Sequence, residues 1–559
     1  MHRNLTAFEH LEDRRLMSAA SLDTSFDGDG KKTLNLYQND NVHAMCVQQD
    51  GKTIIVEDIS PDNAWLVARF NKDGSYDSGF GNGGLRRIDF GDDPTAAGVA
   101  LQSDGKIVIV GSAKTILNNS YAVAARLTSN GNLDTSFGSN LGGGSGNGIT
   151  YAQIDTPTFF GTLKGFATAC GVNIRGDNSI LIGGTSHVKL SNGQLDDNQF
   201  FVLKLDKNGK VLKSFGGNNT GVASYNIDAS QINAGGDQAA AMTVQWDGKI
   251  LVAGQSDRHM AVFRFMPDGS RDWNFGSAGA VRTGYVANEV WSVANGVGVG
   301  QDGKIVLGGD AFNSKSGGHQ WALARLTKDG KFDNSFDYDG TKYMDVNNGN
   351  DMIKGLVVQD DGKIVAGGQG AIGEGSQFAL ARFNTNGKLD PSFGGFGGFT
   401  ATGFGGANIV DVTAMCKTPD GRIMLAGDRW NSNGGYDIAM AKFVGHAPTF
   451  KIMAVQTGKE GSGKNPAFKI TRDGDPYDGT YDLNLVFSGT AINGQDYTVP
   501  FTGKLHWMAG QTTRIIELPV IDDVKKENYE SIRVDLKSDI TYDVDGSFSW
   551  TQIGIYDND

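Results

Sequence analysis

Seven polar side chains recur at one fixed place in this sequence. With the Asp of each Asp-Gly-Lys-like turn counted as position one, position nine is Asp58, Ser112, Thr185, Gln255, Asp310, Gln369 and Asp428. Carboxylate, hydroxyl and amide groups accept hydrogen bonds and hold hard cations, so a ring of them suits a cation, a sugar or a peptide. Polar residues also end strands for local reasons, and that reading stands beside the ligand one. Other chemistries fail on pattern. GKEGSGKN from Gly458 has Asn465 where a phosphate loop needs Ser or Thr, and no helix follows, which removes nucleotide binding. There is no HExxH and no G-x-S-x-G elbow between a strand and a helix. The eight histidines show no ligand spacing, with His187, His259 and His319 in expected loops. Cys46, Cys170 and Cys416 are too far apart for a metal or disulfide framework and read as small core thiols.

The elements that must position the polar ring are repeats. Asp-Gly-Lys and an aliphatic run recur at Asp50, Asp104, Asp247, Asp302 and Asp361, with DGRI at Asp420 and DNSI at Asp177, spaced by 54, 73, 70, 55, 59 and 59 residues. A second signature runs ARFNKDG from Ala68, ARLTSNG from Ala125, ARLTKDG from Ala324 and ARFNTNG from Ala381, with looser copies at Leu203, Phe263 and Ala441. A third ends in Phe26, Phe80, Phe137, Phe215, Phe275, Phe336 and Phe393, as in LDTSF and LDPSF, and reads as a set of packing anchors. The Asp-Gly and Asn-Gly pairs mark tight hairpins, and Asp there needs no metal because it caps its own backbone. A period near 60 residues suits one four-stranded blade per copy.

The order of the signatures is offset. The chain starts with a lone LDTSF at Leu22 and its array stops at AKF from Ala441, so the N-terminal LDTSFDGDGKKTLNL is expected to supply the outer strand of the last blade. The expected fold is all-β: a seven-bladed β-propeller over 21–445, followed by an immunoglobulin-like β-sandwich over 446–559. On the propeller, the Asp-Gly turns share one face and the insertions at Ser112, Thr185, Asp310 and Asp428 share the other, where loops on a rigid scaffold carry function. The three signatures resemble the delta-sixty repeat family of bacterial β-propeller-like proteins over about three quarters of the chain. That resemblance implies a surface or exported protein and supplies no catalytic residues.

Charge narrows the partners. Lys and Arg total 50 against 63 Asp and Glu, a net −13, which repels nucleic acid and anionic membranes. No apolar run reaches a membrane-spanning length. The 80 glycines and 39% hydrophobic residues belong to a folded, turn-rich chain. After Gly445 the repeats stop, and net negative charge per residue rises over threefold, with 17 acids and 11 Lys plus Arg in 447–559.

Seven short apolar runs from FKIMAVQT to SWTQIGIYD have sandwich-like spacing. Within them GTAINGQDYTVP, KLHWMAGQTTRIIELPVIDDVKKENYE and the terminal IYDND resemble a Calx-β domain. The resemblance implies Ca²⁺ held by Glu460, Asp496, Asp522, Asp523, Glu527, Glu530 and Asp557. Two lysines after the Asp pair imply fewer or weaker sites, with extracellular-grade affinity of about 10⁻⁴ to 10⁻³ M. FEHLEDRRLMSA at 8–19 resembles the leading segment of planctomycete-type exported surface proteins, so residues 1–20 are expected to be a targeting segment.

The expected function is therefore a non-enzymatic surface or adhesion protein, located outside the cell, whose partner is a surface protein or a carbohydrate. The competing expectation is an extracellular hydrolase or lyase acting on polysaccharide at the propeller mouth, and the third is a spacer without metal. Crowded carboxylates with His or Arg in the mouth would favour the enzyme; a shallow polar ring would favour the interaction protein.

Overall fold

The computed structural model describes residues 20–557 apart from 38, 60–61, 91–92, 115–119, 139–146, 159–160, 189–197, 218, 228–235, 284–288, 316, 347–348, 360, 373–374, 395–396, 406–409, 432–433, 446–448, 474–480, 508–510, 524, 527, 538–541 and 545. The expected targeting segment, but for Ala20, and Glu527 thus lie outside the described residues. Two compact units result, Thr24–Phe443 and a second built from 444–557 with 20–23.

Among the described residues, Thr24–Phe443 holds seven antiparallel sheets arranged as in a propeller, six of four strands and one of five. In the second sheet the strands are Asp93–Leu101, Ile107–Lys114, Ser120–Leu127 and Ile149–Ala152. Its two middle strands are buried almost throughout, because each sheet has another packed on either face. This is why IVIV and AVAA read as continuous apolar runs. At the first turn the Asp side chain accepts the N–H two residues on, as Asp302 does from Lys304 at 3.1 Å, while Gly303 takes φ +79°. The Asp-Gly aspartates are turn residues, as their spacing suggests.

The offset has the consequence expected of it. Lys31–Leu34 pairs antiparallel with Tyr436–Phe443, so the N-terminal strand covers the outer edge of the seventh sheet. One apolar cluster containing Phe26, Met45, Ile55, Phe70, Met424, Ile438 and Met440 joins the seventh sheet to the first. The third sheet departs from the pattern with an added strand, Asp155–Thr158, against the 14-residue strand Gly161–Ile174.

The second unit has two sheets around one core of Phe450, Phe468, Tyr481, Trp507, Ile532 and Ile553. All seven expected strands are present, and the short pairings Gly458–Lys459 and Asp543–Val544 add two more. No helix among the described residues is long and apolar enough to cross a membrane.

Candidate functional site

The repeat signatures meet in space. Arg382 Nε lies 2.8 Å from Asp390 Oδ2, Lys363 Nζ lies 3.1 Å from the same oxygen, and Ser392 gives Asp390 Oδ1 its N–H and its hydroxyl. The Arg382 guanidinium sits 4.8 Å above the Phe393 ring. The same triad of Arg, Lys and Asp over Phe recurs at Arg69, Lys52 and Asp77, at Arg126, Lys106 and Asp134, at Arg264, Lys249 and Asp272, and at Arg325, Lys304 and Asp333. Arg69 and Arg264 also reach a carbonyl of the next sheet, Ser129 O and Lys328 O, at 2.5 Å. Burial pushes Asp390 up, but Arg382, Ser392 and Lys363 outweigh it and hold its pKa at about 2. The charges of the three signatures are therefore spent on one another within each sheet, and Arg69 and Arg264 carry the contact on to the next. In the third repeat Lys204 replaces the Arg and Leu212 replaces the Asp eight residues on, so both partners are lost together.

Four of the seven position-nine residues form a second latch. Asp58 Oδ1 accepts Ala96 N–H at 2.9 Å, Ser112 Oγ accepts Ala169 N–H at 2.8 Å, Thr185 Oγ1 accepts Ala239 N–H at 2.8 Å and Asp428 Oδ1 accepts Val42 N–H at 2.9 Å. Each bond runs from one sheet to the first strand of the next, and the last runs from the seventh sheet to the first. Ser112, Thr185, Gln255, Asp310, Gln369 and Asp428 are all buried, so they are not solvated strand ends. Asp310 takes His319 Nδ1 at 2.7 Å and Asn295 Nδ2 at 2.9 Å. His187, His259 and His319 all lie on strands rather than loops, because Ile180–Val188 of the third sheet runs past His187 and the third strands of the other two sheets begin earlier than the apolar pattern shows.

Asp58, Gln369 and Asp428 also line a cavity of about 900 Å³ that spans the sixth, seventh, first and second sheets. Asp40, Asp93, Asp411 and Tyr436 contribute to its wall. Asp40 accepts the N–H groups of Leu36 and Tyr37, and His43 Nε2 lies 2.9 Å from Asp58 Oδ2. Burial, then Asp411 and Asp40, push Asp428 up to about 7 against the opposing bond from Val42.

Glu57 lies beside this cavity at a position that is glycine in the other six sheets: Gly111, Gly184, Gly254, Gly309, Gly368 and Gly427. A Cβ on any of the six would come within 1.8 to 2.2 Å of a carbonyl oxygen of the bulged first strand. In the first sheet the ladder ends at the Glu57–Val42 pair, and Asp58 N–H reaches Asn41 O at 3.3 Å, which leaves room for the side chain. Glu57 is 2% exposed and neither carboxylate oxygen completes a hydrogen bond. Burial first, then Asp40, Asp428 and Asp58, push its pKa up to about 9. A raised folded pKa gives stability that is full below about pH 4 and is lost as pH rises from there through about 9. Glu57→Gly should therefore add more than about 1 kcal/mol near pH 7 and flatten the alkaline side of the stability profile, measured by urea unfolding across pH.

In the second unit the carboxylates fall at two places. Glu460 follows the strand that pairs with Ile555 and Tyr556, and Glu530 sits opposite Ile555, so Glu460, Glu530 and Asp557 share one end of a sheet. Asp496 is buried, accepts Ile492 N–H, and its carbonyl takes Ile521 N–H beside the exposed Asp522 and Asp523. These are hard oxygens of the type Ca²⁺ takes. Among the described residues, however, no three His, Cys, Asp or Glu side chains come close enough to hold a metal ion. The set expected from the sequence is not assembled by its six described members.

A family model described as a domain of unknown function (DUF5122) β-propeller matches residues 48–80, 102–137, 245–275, 300–336, 359–393 and 418–443. The matches pass over the third repeat, where the Arg–Asp pair is absent. No curated protein matches the chain. Among solved structures, the apo form of the Calx CBD1 domain is 21% identical, with 20% of this chain and 100% of that chain covered and a TM-score of 0.18. A glucose dehydrogenase is 10% identical over 74% of this chain and 99% of its own, with a TM-score of 0.33. The catalytic domain of a Coprinopsis cinerea GH62 α-L-arabinofuranosidase is 12% identical over 63% and 90%, with a TM-score of 0.27.

Proposed function

We propose that this chain is an exported, surface-located interaction protein that binds a carbohydrate or a segment of a surface protein in the cavity walled by Asp40, Asp58, Asp93, Gln369, Asp411 and Asp428. The repeats make a closed seven-bladed propeller of the delta-sixty kind over 21–445, and 446–559 is a Calx-β-like sandwich. The cavity is the observation that supports this reading: its size is that of a small-ligand site, and amide and carboxylate groups there stand beside a partly exposed Tyr436. Crowded carboxylates with His43 also satisfy the enzyme criterion. Yet Asp40, Asp58 and Asp428 are already bonded to backbone N–H groups, which favours holding a ligand over proton transfer to one. Binding of the full chain to a glycan array should select a defined subset and be lost in Tyr436→Ala/Asp411→Asn. Binding unaffected by that variant would place the ligand elsewhere.

The second reading, hydrolysis of a polysaccharide, draws on Asp428 alone, whose pKa of about 7 suits a general acid. Release of reducing ends that disappears in Asp428→Asn would establish it over the first.

For the second unit, donor type supports calcium and geometry does not, so we propose a spacer with at most weak calcium affinity. Thermal unfolding of the full chain should respond to Ca²⁺ only at about 10⁻⁴ to 10⁻³ M or above, and Asp522→Asn/Asp523→Asn should abolish the response. No response at about 10 mM would leave a spacer alone.

A further inference from the structure

We propose that the ligand of the cavity between the sixth, seventh, first and second sheets carries a positive charge on nitrogen: an organic ammonium such as an amino sugar or a polyamine. The inference rests on the cavity-binding reading and deepens it. Among the described residues five aspartates line the wall, Asp40, Asp58, Asp93, Asp411 and Asp428, and no Lys or Arg does. Lys354 lies 4.0 Å from Asp411, and His43 Nε2 lies 2.9 Å from Asp58 Oδ2. Acceptors are in excess: Gln369 is nine-tenths buried on the wall, and its Oε1 has no hydrogen-bond partner. What such a wall lacks is N–H donors and positive charge, and an ammonium group supplies both.

The spread of the carboxylates argues for an organic cation over a metal ion. Among the described residues no three of them converge to metal-ligand reach, so the complementary charge belongs to a ligand long enough to span the cavity. At the rim, Tyr436 packs edge-on to Trp430 with ring centroids 5.1 Å apart, and both rings are more than a third exposed. An exposed aromatic pair beside carboxylates is a receptive place for a cation.

Protonation completes the argument. Asp428 faces Asp411 on one neighbouring strand and His43 on another, with Asp40, Glu57 and Asp58 close by, Asp437 paired to Arg429 on the third strand, and Lys354 beyond Asp411. Burial and the surrounding carboxylates push Glu57 up to about 9 and Asp428 up to about 7. A bound ammonium favours their charged forms, so binding releases protons and tightens as pH rises.

The test is calorimetric titration of the full chain with spermidine, with a glucosamine trimer and with its N-acetylated counterpart, which is the same sugar without the charge. At about pH 6 spermidine and the glucosamine trimer should bind while the acetylated trimer does not, and spermidine should bind up to about tenfold more tightly at about pH 8. Asp93→Asn/Asp411→Asn, which removes two exposed wall charges and no latch, should weaken spermidine at least about tenfold with an unchanged melting temperature. Spermidine binding alone would keep the ammonium and exclude the sugar as its source. Equal binding of both trimers would overturn the ammonium while leaving the cavity as a ligand site. Absence of binding by both spermidine and the glucosamine trimer, or binding indifferent to the double variant, would overturn the inference.

Discussion

Replacing Arg382 with alanine should destabilise the repeat unit by about 3–5 kcal/mol, because it leaves the Asp390 carboxylate buried without its main counter-charge. Both partners are almost wholly buried, and the guanidinium also packs on Phe393. Removing both charges should cost much less, and the chain contains its own control. Arg382→Lys/Asp390→Leu copies the Lys204 and Leu212 pairing of the third repeat, and should cost about 1–2 kcal/mol, the span of an ordinary core change. Urea unfolding of the two variants would separate them. A loss in Arg382→Ala no larger than in the double variant would show that Asp390 does not depend on Arg382 for its counter-charge. The pH dependence has a definite sign. Asp390 and Asp333 are held at about 2, below the usual carboxylate value, so their contribution is present above about pH 4 and lost as pH falls through about 2. Arg382→Lys/Asp390→Leu should lessen the acid loss.

Gly309→Ala should be as damaging by a different route. Its Cβ would lie 1.8 Å from Val293 O and 3.0 Å from Asn295 N, both backbone atoms at the bulge between Ala294 and Gly296. No side-chain rotation relieves a contact with the main chain, so the first strand must move or the ladder must open. Overpacking of a core costs about 1–3 kcal/mol, and this backbone clash belongs at or above the top of that range. Gly434→Ala meets no atom within 4 Å but has φ +85°, so it should cost only the strain of that conformation, about 1 kcal/mol. If Gly309→Ala unfolds at the wild-type urea concentration, the bulge does not require glycine and the contrast with Glu57 loses its meaning.

That contrast was readable in the sequence. Six copies carry glycine before position nine and one carries Glu57, and the Arg and Asp eight residues apart disappear together in the third copy. Both are departures from a pattern, visible once the seven copies are set against one another. Reading only what is shared finds the scaffold, because repeated residues serve the repeated contacts. The polar ring illustrates the risk: four of its members tie one sheet to the next, and recurrence alone does not mark a ligand.

The sequence by itself determined the period, the strand-and-turn alternation and the displaced N-terminal strand. These depend on contacts a few residues apart, or on one repeat meeting the next in the same way each time. Only the tertiary structure decided the site. Asp58, Gln369 and Asp428 share position nine of the repeat, but Asp40, Asp93 and Asp411 are outside that ring, and the six, separated by up to 388 residues, meet because the seventh sheet packs on the first. Burial then decides their chemistry. A carboxyl group is held at about 2 beside Arg382 and raised to about 9 at Glu57, where burial and then Asp40, Asp428 and Asp58 disfavour its charge and no cation among the described residues offsets them.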